Sequence, residues 1–175
     1  SKTVKDFNEI TKKQDAVRRC TSEGYDCEKI SIEKIKHFVS KEALNIDGFG
    51  KKIVENFWKL NLIKLPQDIF KLNYFKIKKL DGWGDLSVSN LQYSINDKKK
   101  VTFERFIYSL GIRHIGQENA KLLARHLKNV ENFFKISKNK NIDDLLLIDG
   151  IGETQIKSIK NFFSNKTNLL VLFEL

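Results

Sequence analysis

The sequence predicts a mainly α fold, built from a helix, a tight turn and a second helix repeated four times. Three observations predict it. Six of the nine glycines stand in three similar runs: "IDGFGKKIVENF" at 46–57, "LDGWGDLSVSNL" at 80–91 and "IDGIGETQIKSI" at 148–159. The apolar residues that follow keep helical spacing: Ile53, Phe57 and Leu60 fall at i, i+4 and i+7, and Ile156, Ile159 and Phe163 at i, i+3 and i+7. Proline is nearly absent, Pro66 being the single one.

A fourth copy is degenerate: "IRHIGQENAKLL" at 112–123. Aligned on its apolar frame, Ile112 matches Ile148, His114 matches Gly150, Ile115 matches Ile151 and Gly116 matches Gly152. The turns then start at 48, 82, 114 and 150, in steps of 34, 32 and 36 residues. A period in this range marks a repeated supersecondary unit.

The order of elements follows. Residues 1–29 are short and mixed, and the alternation in "KTVKDF" and "DAVRRC" predicts a small β-hairpin. Ser31 is placed to cap a helix reaching Val39. Residues 30–97 hold the first two turns. The polar run "NDKKK" at 96–100 predicts the break between two units, and residues 98–175 hold the last two turns. Helices are predicted there in "TFERFIYSL", "QENAKLLARHL", "VENFFKI" and "IDDLLLI". The tail "LLVLFEL" at 169–175 ends apolar and uncapped, which predicts a helix stopping at a domain border.

The apolar-Gly-apolar-Gly pattern has a physical reason. A short turn between packed helices needs backbone angles, often with φ > 0, that glycine reaches cheaply. The residue between the glycines (Phe49, Trp83, Ile115 or Ile151) is placed to anchor the turn in the core. The second glycine opens a helix whose first N–H groups lack intrahelical partners. Those groups and the helix dipole form an anion site, and a phosphate suits it. Basic residues add charge: Lys51 and Lys52 at the first turn, Arg113 at the third, Lys157 one turn into the fourth helix. A single turn of this kind is an ordinary link between helices; four in a basic chain point to a shared task. Asp85 and Glu153 follow the second and fourth turns, where a carboxylate caps a helix but repels phosphate.

Composition bounds the partners. Hydrophobic content of 41% is that of a folded globular chain. The net charge of +10 favours a polyanion partner. No apolar run is long enough to span a membrane, and the opening "SKTVKDFNEI" carries no secretory pattern. Two cysteines do not make a disulfide scaffold. "KLDG" at 79–82 fits the Lys-x-Asp-Gly pattern of nucleotidyltransferase lysines, yet it lies inside the second turn, aligned with "NIDG" and "LIDG". Lys79 is therefore read as part of a turn, and no catalytic residue is assigned.

The repeated turns resemble the helix-hairpin-helix motif, which binds DNA backbone without reading sequence. Three stretches, "RRCTSEGYDC" at 18–27, "IKHFVSKEALNIDGFGKKIVENF" at 35–57 and "FERFIYSLGIRHIGQENAKLLARHL" at 103–127, resemble bacterial NAD-dependent DNA ligases. The run "SLGIRHIG" at 109–116 is the most specific of them, and the resemblance covers essentially the whole chain. It implies a C-terminal fragment: the second half of a four-cysteine zinc module, then a tandem helix-hairpin-helix domain of four motifs in two pairs. The boundaries it implies are a truncated zinc-finger remnant at 1–29, motifs one and two at 30–97, and motifs three and four at 98–175. The DNA-binding residues expected are Gly48, Gly50, Lys51, Lys52, Gly82, Gly84, Arg113, His114, Gly116, Gly150, Gly152 and Lys157.

By the same resemblance, Cys20 and Cys27 are two of four zinc ligands, and two thiolates do not complete a tetrahedral site. His37, ten residues after Cys27 on a helical pattern, is a weak substitute ligand. No cofactor is expected in the fragment itself; the parent enzyme would use NAD, Mg and structural Zn. The implied partners are nicked double-stranded DNA and the other domains of the same ligase, with no membrane. A monomer is implied, in the bacterial cytoplasm at the nucleoid. Two alternatives remain from the residues alone: a helix-hairpin-helix module of another repair or recombination protein, and a helical protein-interaction domain.

Overall fold

The computed structural model describes residues 3–8, 13–20, 25, 27–138 and 141–175. Two strands, β1 (Thr3–Asn8) and β2 (Lys13–Cys20), pair antiparallel with Thr3 opposite Cys20 and Asn8 opposite Lys13. The rest is helical: α1 (Glu28–Val39), α2 (Lys51–Lys59), α3 (Tyr74–Lys78), α4 (Asp85–Asp97), α5 (Phe103–Ser109), α6 (Gln117–Leu127), α7 (Val130–Lys138), α8 (Glu153–Ser164) and α9 (Lys166–Glu174). Short 3-10 segments stand at Pro66–Lys71 and Asn141–Leu147.

Two local expectations change. Ser31 does not cap the first helix. That helix starts three residues earlier, at Glu28, with Cys27 as the capping position. Ser31 lies buried in its first turn, and its hydroxyl donates to the Tyr25 carbonyl at 2.9 Å. A serine that finds a local carbonyl does not need the capping position. The stretch "IDDLLLI" winds as a 3-10 segment, not as an α-helix. It is short and runs straight into the fourth turn, and brief 3-10 runs are typical of such connectors.

Two apolar clusters form the core. One draws on α1 to α4, from Ile35 to Ile95, and its centre is aromatic. Phe57 packs edge-on against Phe49 at 5.5 Å between centroids and at a tilt against Trp83 at 5.5 Å. The other draws on α5 to α9, from Ile107 to Leu172, with Phe133 against Phe163 at 5.3 Å. Residues 98–102, three lysines followed by Val101 and Thr102, connect them.

Several polar contacts join the clusters. Arg105 of α5 donates through Nε to the Ala43 carbonyl at 2.7 Å and through its terminal nitrogen to the Lys41 carbonyl. His37 Nε2 lies 2.7 Å from the Tyr108 carbonyl oxygen, and the two rings meet edge-on. Lys34 Nζ reaches the side-chain oxygen of Asn168 at 3.5 Å. An exposed ion pair joins Lys71 to Glu174 at 2.6 Å. Exposed pairs contribute little, whereas a guanidinium forked onto two carbonyls is a directional, charge-assisted clamp.

Phe57 is fully buried between the anchor residues of the first and second turns, Phe49 and Trp83. Phe57→Ala is therefore expected to cost about 3–5 kcal/mol, read as a lowered urea midpoint with an unchanged slope.

Candidate nucleic-acid interface

The four turns share one backbone geometry. In each, the amide of the fourth residue donates to the carbonyl of the first: Phe49 to Ile46 at 3.2 Å, Trp83 to Leu80 at 3.1 Å, Ile115 to Ile112 at 3.1 Å and Ile151 to Ile148 at 3.0 Å. The third residue is left-handed every time: Gly48 at φ 76°, Gly82 at 79°, His114 at 61° and Gly150 at 90°. His114 thus occupies the place of a glycine, as the apolar alignment predicts. Histidine is among the side chains that enter this region more readily than most.

The fifth residue caps the next helix. Gly50, Gly84, Gly116 and Gly152 are extended, and their carbonyls accept the first helical bonds, from Val54, Val88, Ala120 and Ile156. Burial fixes the orientation. Phe49, Ile115 and Ile151 are buried as anchors, while Trp83 is half-buried. One turn into each helix, Val54, Val88, Ala120 and Ile156 are buried as well. The unpaired N–H groups of the first helical turn are therefore left at the surface.

All twelve residues expected to bind DNA are exposed. Extended backbone suits any residue, so Gly50, Gly84 and Gly116 are not glycines for conformational reasons. A Cβ built at any of the three meets nothing within 4 Å among the described residues. Neither strain nor crowding from the fold demands glycine at these positions. Gly150 differs, because its Cβ would lie 2.9 Å from Leu122 Cδ1 in addition to its left-handed backbone.

Charge separates the turns. The first turn of α2 holds Lys51 and Lys52 and no acid. The first turns of α4, α6 and α8 each hold one acid: Asp85, Glu118 and Glu153. Two are paired: Asp85 with Lys78, and Glu118 with Lys121 at 2.7 Å. The hydrogen bond from Lys121 holds the Glu118 carboxyl below its ordinary range. At the fourth turn, Gln155 Oε1 accepts the Gly152 N–H at 3.1 Å, so that donor already has a partner. The Gly-x-x-Gln spacing carried this signal in the sequence, as a capping box does. The first turn is therefore the most favourable of the four for an anion.

The remaining candidates fall elsewhere. Lys79 is exposed just before the second turn, with its ammonium 4.2 Å over the Phe75 ring. Cys27 is buried, and the side chain of Cys20 lies outside the described residues. Among the described residues, no three His, Cys, Asp or Glu side chains gather as a metal site. His37 Nε2 lies against the Tyr108 carbonyl oxygen, and its ring meets the Tyr108 ring edge-on. No described helix is long and apolar enough to cross a membrane.

Known proteins place this geometry. Residues 105–172, which contain the third and fourth turns, match the helix-hairpin-helix motif family. A DNA ligase of Pelagibacter ubique (strain HTCC1062) is 73% identical over all 175 residues of the chain, which cover 26% of that protein. The chain is related to DNA ligases. A DNA ligase of Parvibaculum lavamentivorans is 39% identical over 98% of the chain and 26% of its own length. One of Wolbachia pipientis subsp. Culex pipiens is 42% identical over 90% of the chain and 24% of its own length. The chain thus spans about a quarter of the length of the curated relatives it matches. The fold is mainly α; the third and fourth turns lie in the stretch that matches the helix-hairpin-helix motif, and the first and second share their backbone geometry.

The glycines divide by role, and stability measurements separate them. Gly150→Ala is expected to cost about 2 kcal/mol, from left-handed strain and the Leu122 contact. Gly116→Asn is expected to stay within about 0.5 kcal/mol of the parent, because asparagine is a good helix cap. Thermal unfolding of the two variants checks both values.

Proposed function

We infer that the chain is the helix-hairpin-helix segment of a bacterial NAD-dependent DNA ligase, and that it grips the backbone of nicked duplex DNA while the rest of the enzyme seals the break. The observation that carries this reading is the trio Gly50, Gly84 and Gly116. Their backbone is ordinary and the space beside them is open, so the fold gains nothing from the missing side chains. A partner that must touch the backbone does gain.

A phosphate oxygen at such a turn accepts N–H groups from the start of the helix and lies at the positive end of its dipole. Lys51, Lys52, Arg113 and Lys157 add counter-charge around it. Contacts of this kind set position on the duplex and carry no base information, as a ligase acting at any nick requires. Self-adenylation from NAD, transfer of AMP to the 5′-phosphate and Mg-dependent sealing belong to the remainder of the longer protein. In that protein Cys20 and Cys27 supply half of a structural zinc set, the other half lying in the preceding sequence. The segment works as a monomer in the cytoplasm, beside the nucleoid.

The test is a salt titration of binding to a nicked duplex and to its intact counterpart. The logarithm of affinity should fall linearly with the logarithm of salt, by about 0.9 per phosphate engaged, giving a slope of about −2 to −4 for two to four working hairpins. Gly50→Asn and Gly116→Asn together should weaken binding at least tenfold, about 1.4 kcal/mol, with thermal stability retained. Absence of binding at low salt, or an unaffected double variant, would overturn the reading.

A further inference from the structure

The third and fourth hairpins touch each other in a way the first and second do not. His114, the left-handed residue of the third turn, places Nδ1 2.9 Å from Ser158 Oγ on α8. Ser158 donates its own proton to the Thr154 carbonyl at 2.9 Å, so the imidazole is the donor and Ser158 the acceptor. Ser158 is 9% exposed. The turn is held from its other side as well, since Asn119 Nδ2 donates to the His114 carbonyl at 3.0 Å.

The partners stand in a fixed register. Ser158 is the sixth residue after the capping glycine of its helix, and its counterpart on α6 is Leu122. Leu122 is the residue that meets the left-handed glycine of the fourth turn, Gly150. Each turn of this pair therefore rests on the sixth helical residue of the other, through a hydrogen bond on one side and an apolar contact on the reverse. In the first pair the corresponding positions are Asn90 for Gly48 and Asn56 for Gly82. A Cβ at either glycine would meet nothing within 4 Å among the described residues. A cleft of about 580 Å³ lies there, bordered by Gly48, Gly82, Trp83 and Asn90.

We propose that His114 is a positioning residue: its hydrogen bond to Ser158 locks the third and fourth hairpins at one spacing, so that their two anion sites present as a single preformed unit. The locked second pair contrasts with the open first pair. This rests on the DNA-binding reading above and changes one part of it, since His114 acts through Ser158 and not as a phosphate ligand. The strained backbone at 114 is consistent with it. A glycine would relax the turn, as in the other three, and would lose the bridge.

The test measures affinity and salt slope of the full chain on a duplex oligonucleotide for His114→Gly, Ser158→Ala, the double variant and Ser158→Thr. Each of the first two should weaken binding roughly fivefold, the worth of one hydrogen bond. The double should be no weaker than either, the slope should hold, and Ser158→Thr, which keeps the hydroxyl, should bind as the parent does. Wild-type affinity in Ser158→Ala, with His114→Gly losing both affinity and about one unit of slope, would make His114 a phosphate ligand and overturn the proposal. Additive losses, or no loss in either single variant, would overturn it too. If the parent chain binds no duplex, the DNA-binding reading falls, and a double-mutant cycle in thermal unfolding decides the lock: non-additive changes sustain it and additive ones remove it.

Discussion

One backbone hydrogen bond underlies the arrangement: the amide of each anchor residue donating to the carbonyl three positions earlier. In all four copies the third residue inside this bond is left-handed, a conformation that glycine reaches cheaply and histidine more readily than most. Once it is closed, the anchor faces the core and the next residue begins a helix. Core packing, helix direction and exposure of the helix start are thus a single event. A turn that failed to close would expose Phe49 or Ile151 and bury its polar helix start, at a cost from both. The bond has the same length, within 0.2 Å, in all four copies, although the residues around it vary widely.

Much of this was legible in the sequence because the constraint is local. Left-handed backbone is written as Gly48, Gly82 and Gly150, and burial is written as apolar spacing. Even the degenerate third copy could be aligned, since Ile112 and Ile115 keep the frame when His114 replaces the glycine. What depends on distant partners was not legible. No local pattern tells that Ser158 accepts from His114, 44 residues away, or that Leu122 crowds the position of Gly150. The meeting of His37 with Tyr108, 71 residues on, is equally hidden from the local sequence. Ser31 looked like a cap because a serine before an apolar run usually is one, and only Tyr25 redirects it.

The four hairpins share a backbone and differ in electrostatics. The first presents two lysines at a helix start with no acid beside them. In the second and third, an acid in the first helical turn is answered by a lysine, and in the fourth Gln155 already engages one donor. A repeated fold has thus diverged in charge while keeping the turn. Divergence of this kind is inexpensive, because the side chains concerned point to solvent and contribute little to stability.

Arg105 stands on α5, whose apolar residues join the second cluster, yet both carbonyls it holds lie within five residues of Ile46, where the first hairpin opens. The loop between α1 and α2 is thereby pinned from outside its own cluster, and the first turn is tied to the frame of the second pair. Mechanically, the molecule is a caliper with one jaw bolted to the other's handle. Anions that meet several turns at once must come at intervals set by the protein, so a flexible strand has to stretch or coil to fit, while a stiff lattice of charges with the right pitch fits as it stands.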